Sequence, residues 1–90
     1  PRAQARIRRF DVDRNMVFIG DCVTLEWLTD DAEGVGLLRN GDTVLHAGSG
    51  NGDFEDCNAP VGVNGYDLTA YNRTGRETRS LSVVVQDAGD

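Results

Sequence analysis

Glycine and asparagine break this chain at intervals too short for helices. Eleven glycines fall among 90 residues, and three Asn-Gly pairs stand at Asn40-Gly41, Asn51-Gly52 and Asn64-Gly65. Asn-Gly is the strongest two-residue turn signal, because both residues tolerate positive φ. Gly20, Gly34, the Gly48-Ser49-Gly50 run and Thr74-Gly75 add further breaks. No uninterrupted window between them repeats an apolar residue every three to four positions. What lies between the breaks is short, rich in Val, Leu and Thr, and alternating. That pattern predicts an all-β sandwich or barrel.

The alternation places the strands. A first strand is expected over residues 5–10, with Ile7 inward and Phe10 closing the end. A polar link over 11–15 precedes an extended stretch at 16–19. The clearest strand runs over 22–28, with Val23, Leu25 and Trp27 on one face and Thr24 and Glu26 on the other. An acidic loop fills 29–34. Residues 35–39 and 42–47 form a hairpin about Asn40-Gly41, which pairs Arg39 with Asp42 and Leu37 with Val44. On that register Leu37 and Val44 share the core face. Leu38 and Leu45 then share the outward face and are expected to mark an interaction surface. A short strand covers 53–57. The next covers 66–71, with Tyr66, Leu68 and Ala70 inward. The last covers 79–85, with Leu81, Val83 and Val85 inward. The expected core therefore centres on Trp27, Tyr66, Val23, Leu25 and Leu68. The whole of 1–90 reads as one domain cut from a larger protein, with 88–90 beginning a linker.

Charge and hydropathy exclude several functions. Fifteen acids against nine basic residues, all of them Arg, give −6. Residues 1–9 carry Arg2, Arg6, Arg8 and Arg9, while the other 81 residues sum to −10. Four arginines on an acidic body attract a polyanion poorly, so no nucleic acid is expected as partner. The longest apolar run, Met16-Val17-Phe18-Ile19, is four residues, so no membrane span is expected either.

The chemistry-bearing residues form no convincing site. Asp11-x-Asp13-x-Asn15 opens like a calcium loop, but Met16 and Cys22 stand where an EF-hand needs Gly and Glu. Asn51-x-Asp53-x-Glu55-Asp56 is a second oxygen-rich stretch. Neither supplies the six or more oxygens a hard cation takes, and no metal or other cofactor is expected. His46 is the only histidine, with no nucleophile motif beside it. The glycine-rich 48–52 run has no following helix to aim amides at a phosphate. Glu26 and Glu33 would need a cleft to act as acid and base. No catalytic residue is assigned, and the chain is read as non-enzymatic. Asn72-Arg73-Thr74 fits the glycosylation acceptor pattern and is read as accidental. The two cysteines, Cys22 and Cys57, are either one disulfide or two unrelated thiols.

One ordered set of residues is more specific. Val23-Thr24-Leu25-Glu26-Trp27 is followed some forty residues later by Tyr66-Asp67-Leu68-Thr69-Ala70-Tyr71-Asn72-x-x-Gly75. Together with Ile7-x-x-Phe10 and Gly20-Asp21, these resemble the bacterial immunoglobulin-like and fibronectin-type-III-like surface modules. The resemblance covers nearly the whole chain. It departs from antibody domains, because Trp27 follows Cys22 by only five residues. It departs from fibronectin modules, whose third strand carries a Tyr where this chain has Val35-Gly36-Leu37.

The resemblance implies an immunoglobulin-like antiparallel β-sandwich of about seven strands. Trp27 would fill the space between sheets. Tyr66 would sit as a tyrosine corner, its hydroxyl bonding a nearby backbone group. Some modules of the group also carry a Cys after the Gly of the second strand and another before the penultimate strand's Pro. In such a sandwich Cys22 and Cys57 come close enough for a disulfide; two free thiols in a cytoplasmic domain are the alternative. The implied function is a non-catalytic spacer or accessory module of a secreted or cell-surface bacterial protein. Its partners would be neighbouring domains, with weak homo- or hetero-association. The other reading is a carbohydrate- or protein-binding module that uses loops at one end, with Phe54 and Tyr71 as its available rings.

Overall fold

In the computed structural model, which describes residues 3–48 and 50–87, the chain runs through eight strands and no helix. They are β1 (Arg6–Val12), β2 (Met16–Phe18), β3 (Val23–Asp30), β4 (Gly34–Arg39), β5 (Asp42–Ala47), β6 (Gly52–Asp56), β7 (Gly62–Tyr71) and β8 (Arg76–Gln86). One sheet has the order β1-β3-β6 and the other β2-β8-β7-β4-β5. All neighbours are antiparallel except β2, which lies parallel to β8. The two sheets face each other across Ile7, Phe10, Val23, Leu25 and Trp27 on one side. Val17, Val35, Leu37, Tyr66, Leu68, Ala70, Val83 and Val85 face them from the other. Trp27, Tyr66, Leu25, Leu68 and Val23 are all within 2 % of full burial.

Ile7 and Phe10 are three residues apart, a spacing that a regular strand would split between its faces. A β-bulge solves this. The register steps from Ile7↔Thr29 to Arg9↔Leu28, so one extra residue is absorbed and both apolar side chains point inward.

The 11–15 stretch carries the chain from one sheet to the other. Asp13 holds this crossover: its N–H donates to Thr24 O (3.0 Å), and its Oδ1 accepts from Thr24 N–H (2.9 Å). The carbonyl of Asn15 then accepts from Val84 N–H, starting the β2–β8 pairing. The single expected N-terminal strand with its link thus becomes two strands in different sheets, and the total is eight.

Of the three Asn-Gly pairs, one makes a hairpin turn. Asn40 and Gly41 have φ of 53° and 90°, as a type I′ turn requires. Asn64 and Gly65 lie inside β7 and receive that turn. Asn40 N–H donates to Gly65 O, Gly65 N–H to Asn40 Oδ1, and Asn40 Nδ2 to Asn64 Oδ1. Asn64 is buried because its own amide donates to Pro60 O. Asn51 directly precedes β6 and accepts Thr29 N–H on Oδ1.

The expected hairpin register holds only at Arg39↔Asp42. A bulge between Leu37 and Leu38 pairs Leu37 with Leu45 and Leu38 with Thr43. Leu45 therefore packs toward the core beside Ala47, and Val44 also reaches it. Leu38 and Leu45 do not share an outward face; both are half-buried.

Candidate interaction surface

Cys22 and Cys57 are joined in a disulfide with Cα atoms 4.0 Å apart. The β3–β6 register explains the closeness. Val23 pairs with Asp56, so the next residues outward on the two strands face each other. The bridge staples adjacent strands of one sheet at their end rather than crossing between sheets. Glu55 approaches the two sulfurs, but sulfurs bonded to each other are not the thiolates that bind metals.

One buried polar cluster escapes sequence reading. Asp56 is 2 % exposed and sits between Arg39 Nη1 (2.6 Å) and the Tyr66 hydroxyl (2.7 Å), both on Oδ2. Asn58 N–H donates to its Oδ1 (3.0 Å). Burial opposes the Asp56 charge, but these three bonds outweigh it and hold the carboxyl below its usual range. Burial and then the bond to Asp56 push the Tyr66 phenol upward. The bond to Asp56 raises Arg39. The tyrosine-corner expectation is thus corrected: the Tyr66 ring is in the core, but its hydroxyl meets a carboxylate instead of backbone. Parity hid this, because Asp56 has the inward phase of Phe54 on a strand that otherwise reads as acidic surface.

The other sequence candidates are dispersed. Asp11 pairs with Arg9 Nε (2.9 Å), while Asp13 is committed to Thr24. Across the outer face of the three-stranded sheet, Asp11, Glu26 and Asp53 stand directly opposite one another. Glu33 lies in the β3–β4 turn, its N–H on Tyr71 O in the other sheet, so it does not meet Glu26. Asn72 is a clamp. Its Nδ2 donates to Ala3 O and Asp31 O, and its Oδ1 accepts from Thr74 and Gly75 N–H. His46 on β5 lies near-parallel to Tyr71 on β7, with Nε2 and the phenol 3.1 Å apart. They bridge the glycines of β4: any side chain at Gly34 would collide with the Tyr71 ring. Tyr71 is thereby half-buried, as is Phe54, which packs against the core. Ser49 of the glycine-rich run lies outside the described residues.

Exposed apolar side chains concentrate elsewhere. Met16 (56 %), Phe18 (49 %), Ile19 (46 %), Val61 (54 %) and Val63 (70 %) gather at one end of the five-stranded sheet. Pairing puts Met16, Val84 and Val63 in one row of its outer face, and Phe18 beside Gln86 in the next. Among the described residues, five of the six large exposed apolar ones in one place is more than the usual scatter. This end, where β8 finishes, is opposite to the one where Ala3 meets the β7–β8 turn.

No protein-family model matches this sequence, and no curated protein sequence does. Solved structures do match in fold. A chimeric titin Z1Z2 functionalised with a KLER peptide from decorin superposes with a TM-score of 0.75 at 18 % identity, covering 94 % of this chain and 97 % of that one. The fibronectin(III)-like modules of Clostridium thermocellum CbhA superpose at 0.69 with 13 % identity, covering 94 % and 99 %. The chain is an immunoglobulin- or fibronectin-III-like β-sandwich with one disulfide.

Proposed function

We propose that this chain is a non-catalytic spacer or accessory module of a secreted or cell-surface bacterial protein. The observation that carries the reading is where Ala3 and Gln86 lie in the fold. Ala3 is tied to the β7–β8 turn, and Gln86 pairs beside Phe18 at the far end, so a polypeptide entering at one pole leaves at the other. The radius of gyration is 14.0 Å, against about 12 Å for a globule of this length. Modules shaped this way add length when strung together. The apolar end patch would adjoin a neighbouring domain of the parent protein. The disulfide favours an oxidising compartment. The acidic row on the outer sheet face disfavours nucleic acid.

A loop-end carbohydrate binder would present aromatic rings for stacking. Phe54 is turned to the core, Tyr71 is half-buried with its ring against β4, and Phe18 stands among aliphatic side chains rather than other rings, which supports the spacer. A glycan array probed with the labelled chain separates the two. The spacer reading expects no glycan to bind saturably, and a saturable hit lost in Tyr71→Ala would replace it with the binding reading.

A further inference from the structure

The last strand has an open edge. Val84 N–H donates to Asn15 O, Gln86 O accepts from Ile19 N–H, and Arg76 O accepts from Gln4 Nε2. The even-numbered residues of β8 therefore turn their backbone groups away from β7. β2 pairs only with Val84–Gln86, and β1, which runs close to β8, bonds it only at the strand's start, where Ile7 N–H meets Glu77 Oε1. Between them lie Thr78, Ser80 and Ser82, all exposed. Among the described residues nothing pairs with their outward N–H and C=O groups. Two of their side chains bend back to β7, Thr78 to Thr69 and Ser80 to Asp67, and leave the edge clear.

Beside this edge lies an open cleft of about 690 Å³, with Phe10, Val12, Met16 and Leu81 as its apolar wall and Asp11, Asp13, Arg14, Asn15 and Ser82 as its polar one. Arg79 stands one step along the same strand face as Leu81. That phase points inward at Val83 and Val85, yet Arg79 is exposed at the sheet's rim, and no described carboxylate forms an ion pair with it.

We propose that the Thr78–Ser82 edge of β8 takes up an extended segment of another protein as an added strand. That segment carries an apolar residue and, two positions away, a carboxylate. Unpaired ladder groups recognise an extended backbone. The apolar residue fills the cleft against Phe10 and Leu81. The carboxylate meets Arg79, which repels strands lacking it, since a cation turned toward the sheet's inner side guards a bare edge. Self-pairing is disfavoured, because a second copy would bring its own Arg79 to the same face.

The test is NMR titration of the isotope-labelled 90-residue chain with a capped heptapeptide that alternates threonine and valine, glutamate replacing one valine. Expected are shifts and slowed amide exchange confined to Thr78, Ser80, Ser82 and the cleft. Lysine in place of the glutamate should weaken binding at least ~10-fold, and Arg79→Glu should reverse that preference. A central proline in the peptide should abolish binding, and this arm needs no protein variant. Equal binding of the glutamate and lysine peptides, shifts at the β5 edge instead, or no binding at millimolar peptide would overturn the proposal. So would self-association of the chain through these same amides.

Discussion

Trp27 carries the largest share of the core that any one residue can. It is 2 % exposed and lies across the β3–β6 pairing from Gly52, within van der Waals reach of it. Its Nε1–H has no partner among the described residues, so its contribution is packing, reduced by one unmet donor. Trp27→Ala is expected to cost ~3–5 kcal/mol, a large part of the ~5–15 kcal/mol such domains possess. Calorimetry should show a thermal midpoint lowered by tens of degrees or no transition at all; a shift of a few degrees would contradict the packing described. The Arg39–Asp56–Tyr66 cluster sets the pH limits. The Asp56 carboxyl is depressed in the fold, so its stabilisation is present above the unfolded value of about 4 and is lost as pH falls through the lower folded value. The Tyr66 phenol is raised, so its stabilisation is full below about pH 10 and is lost as pH rises toward the folded value. Urea midpoints should therefore be flat between these limits and fall on both sides. In Tyr66→Phe the alkaline fall should become shallower, and an unchanged alkaline limb would show that another group sets it.

Among the elements, the sequence marks strands better than registers. Strict alternation in Val23 to Trp27 and in Tyr66 to Ala70 requires a half-buried strand, and those faces are as expected. The hairpin offers no such guide. Leu37 and Leu38 lie together, as do Val44 and Leu45, so either phase buries two apolar residues, and the bulge that chooses between them has no signature in residue type. Asn64-Gly65 misleads for a similar reason: it has the chemistry of a turn but serves as the receptor for one. The oxygen-rich crossover reads as a cation loop because capping and coordination use the same residues. The polar cluster joins three elements far apart in sequence, which no local pattern can reveal. The disulfide couples β3 to β6 and closes a 35-residue separation, for which chain entropy gives about 3.8 kcal/mol. The double variant Cys22→Ala, Cys57→Ala should melt roughly 15–25 °C lower in a scan without reductant. A midpoint unchanged by the double substitution would mean that the bridge constrains nothing.

At the scale of the molecule, the chain is a strand bundle entered at one pole and left at the other, acidic along one sheet and apolar at its exit. The exit patch is surface rather than core. Phe18→Ser and Val63→Ser should accordingly leave the thermal midpoint within a few degrees, as surface substitutions do. A large drop in either would place those side chains in the fold's own packing. The proposed role is that of a disulfide-stapled module working outside the cytoplasm. It is tested most directly by trapping the chain from its native source with an alkylating agent under denaturing, non-reducing conditions and weighing it intact. The account predicts an unmodified chain two hydrogens lighter than its reduced form, recovered from the exported or surface fraction. Alkylation of both Cys22 and Cys57 in that experiment, with the chain in the cytoplasmic fraction, would contradict it.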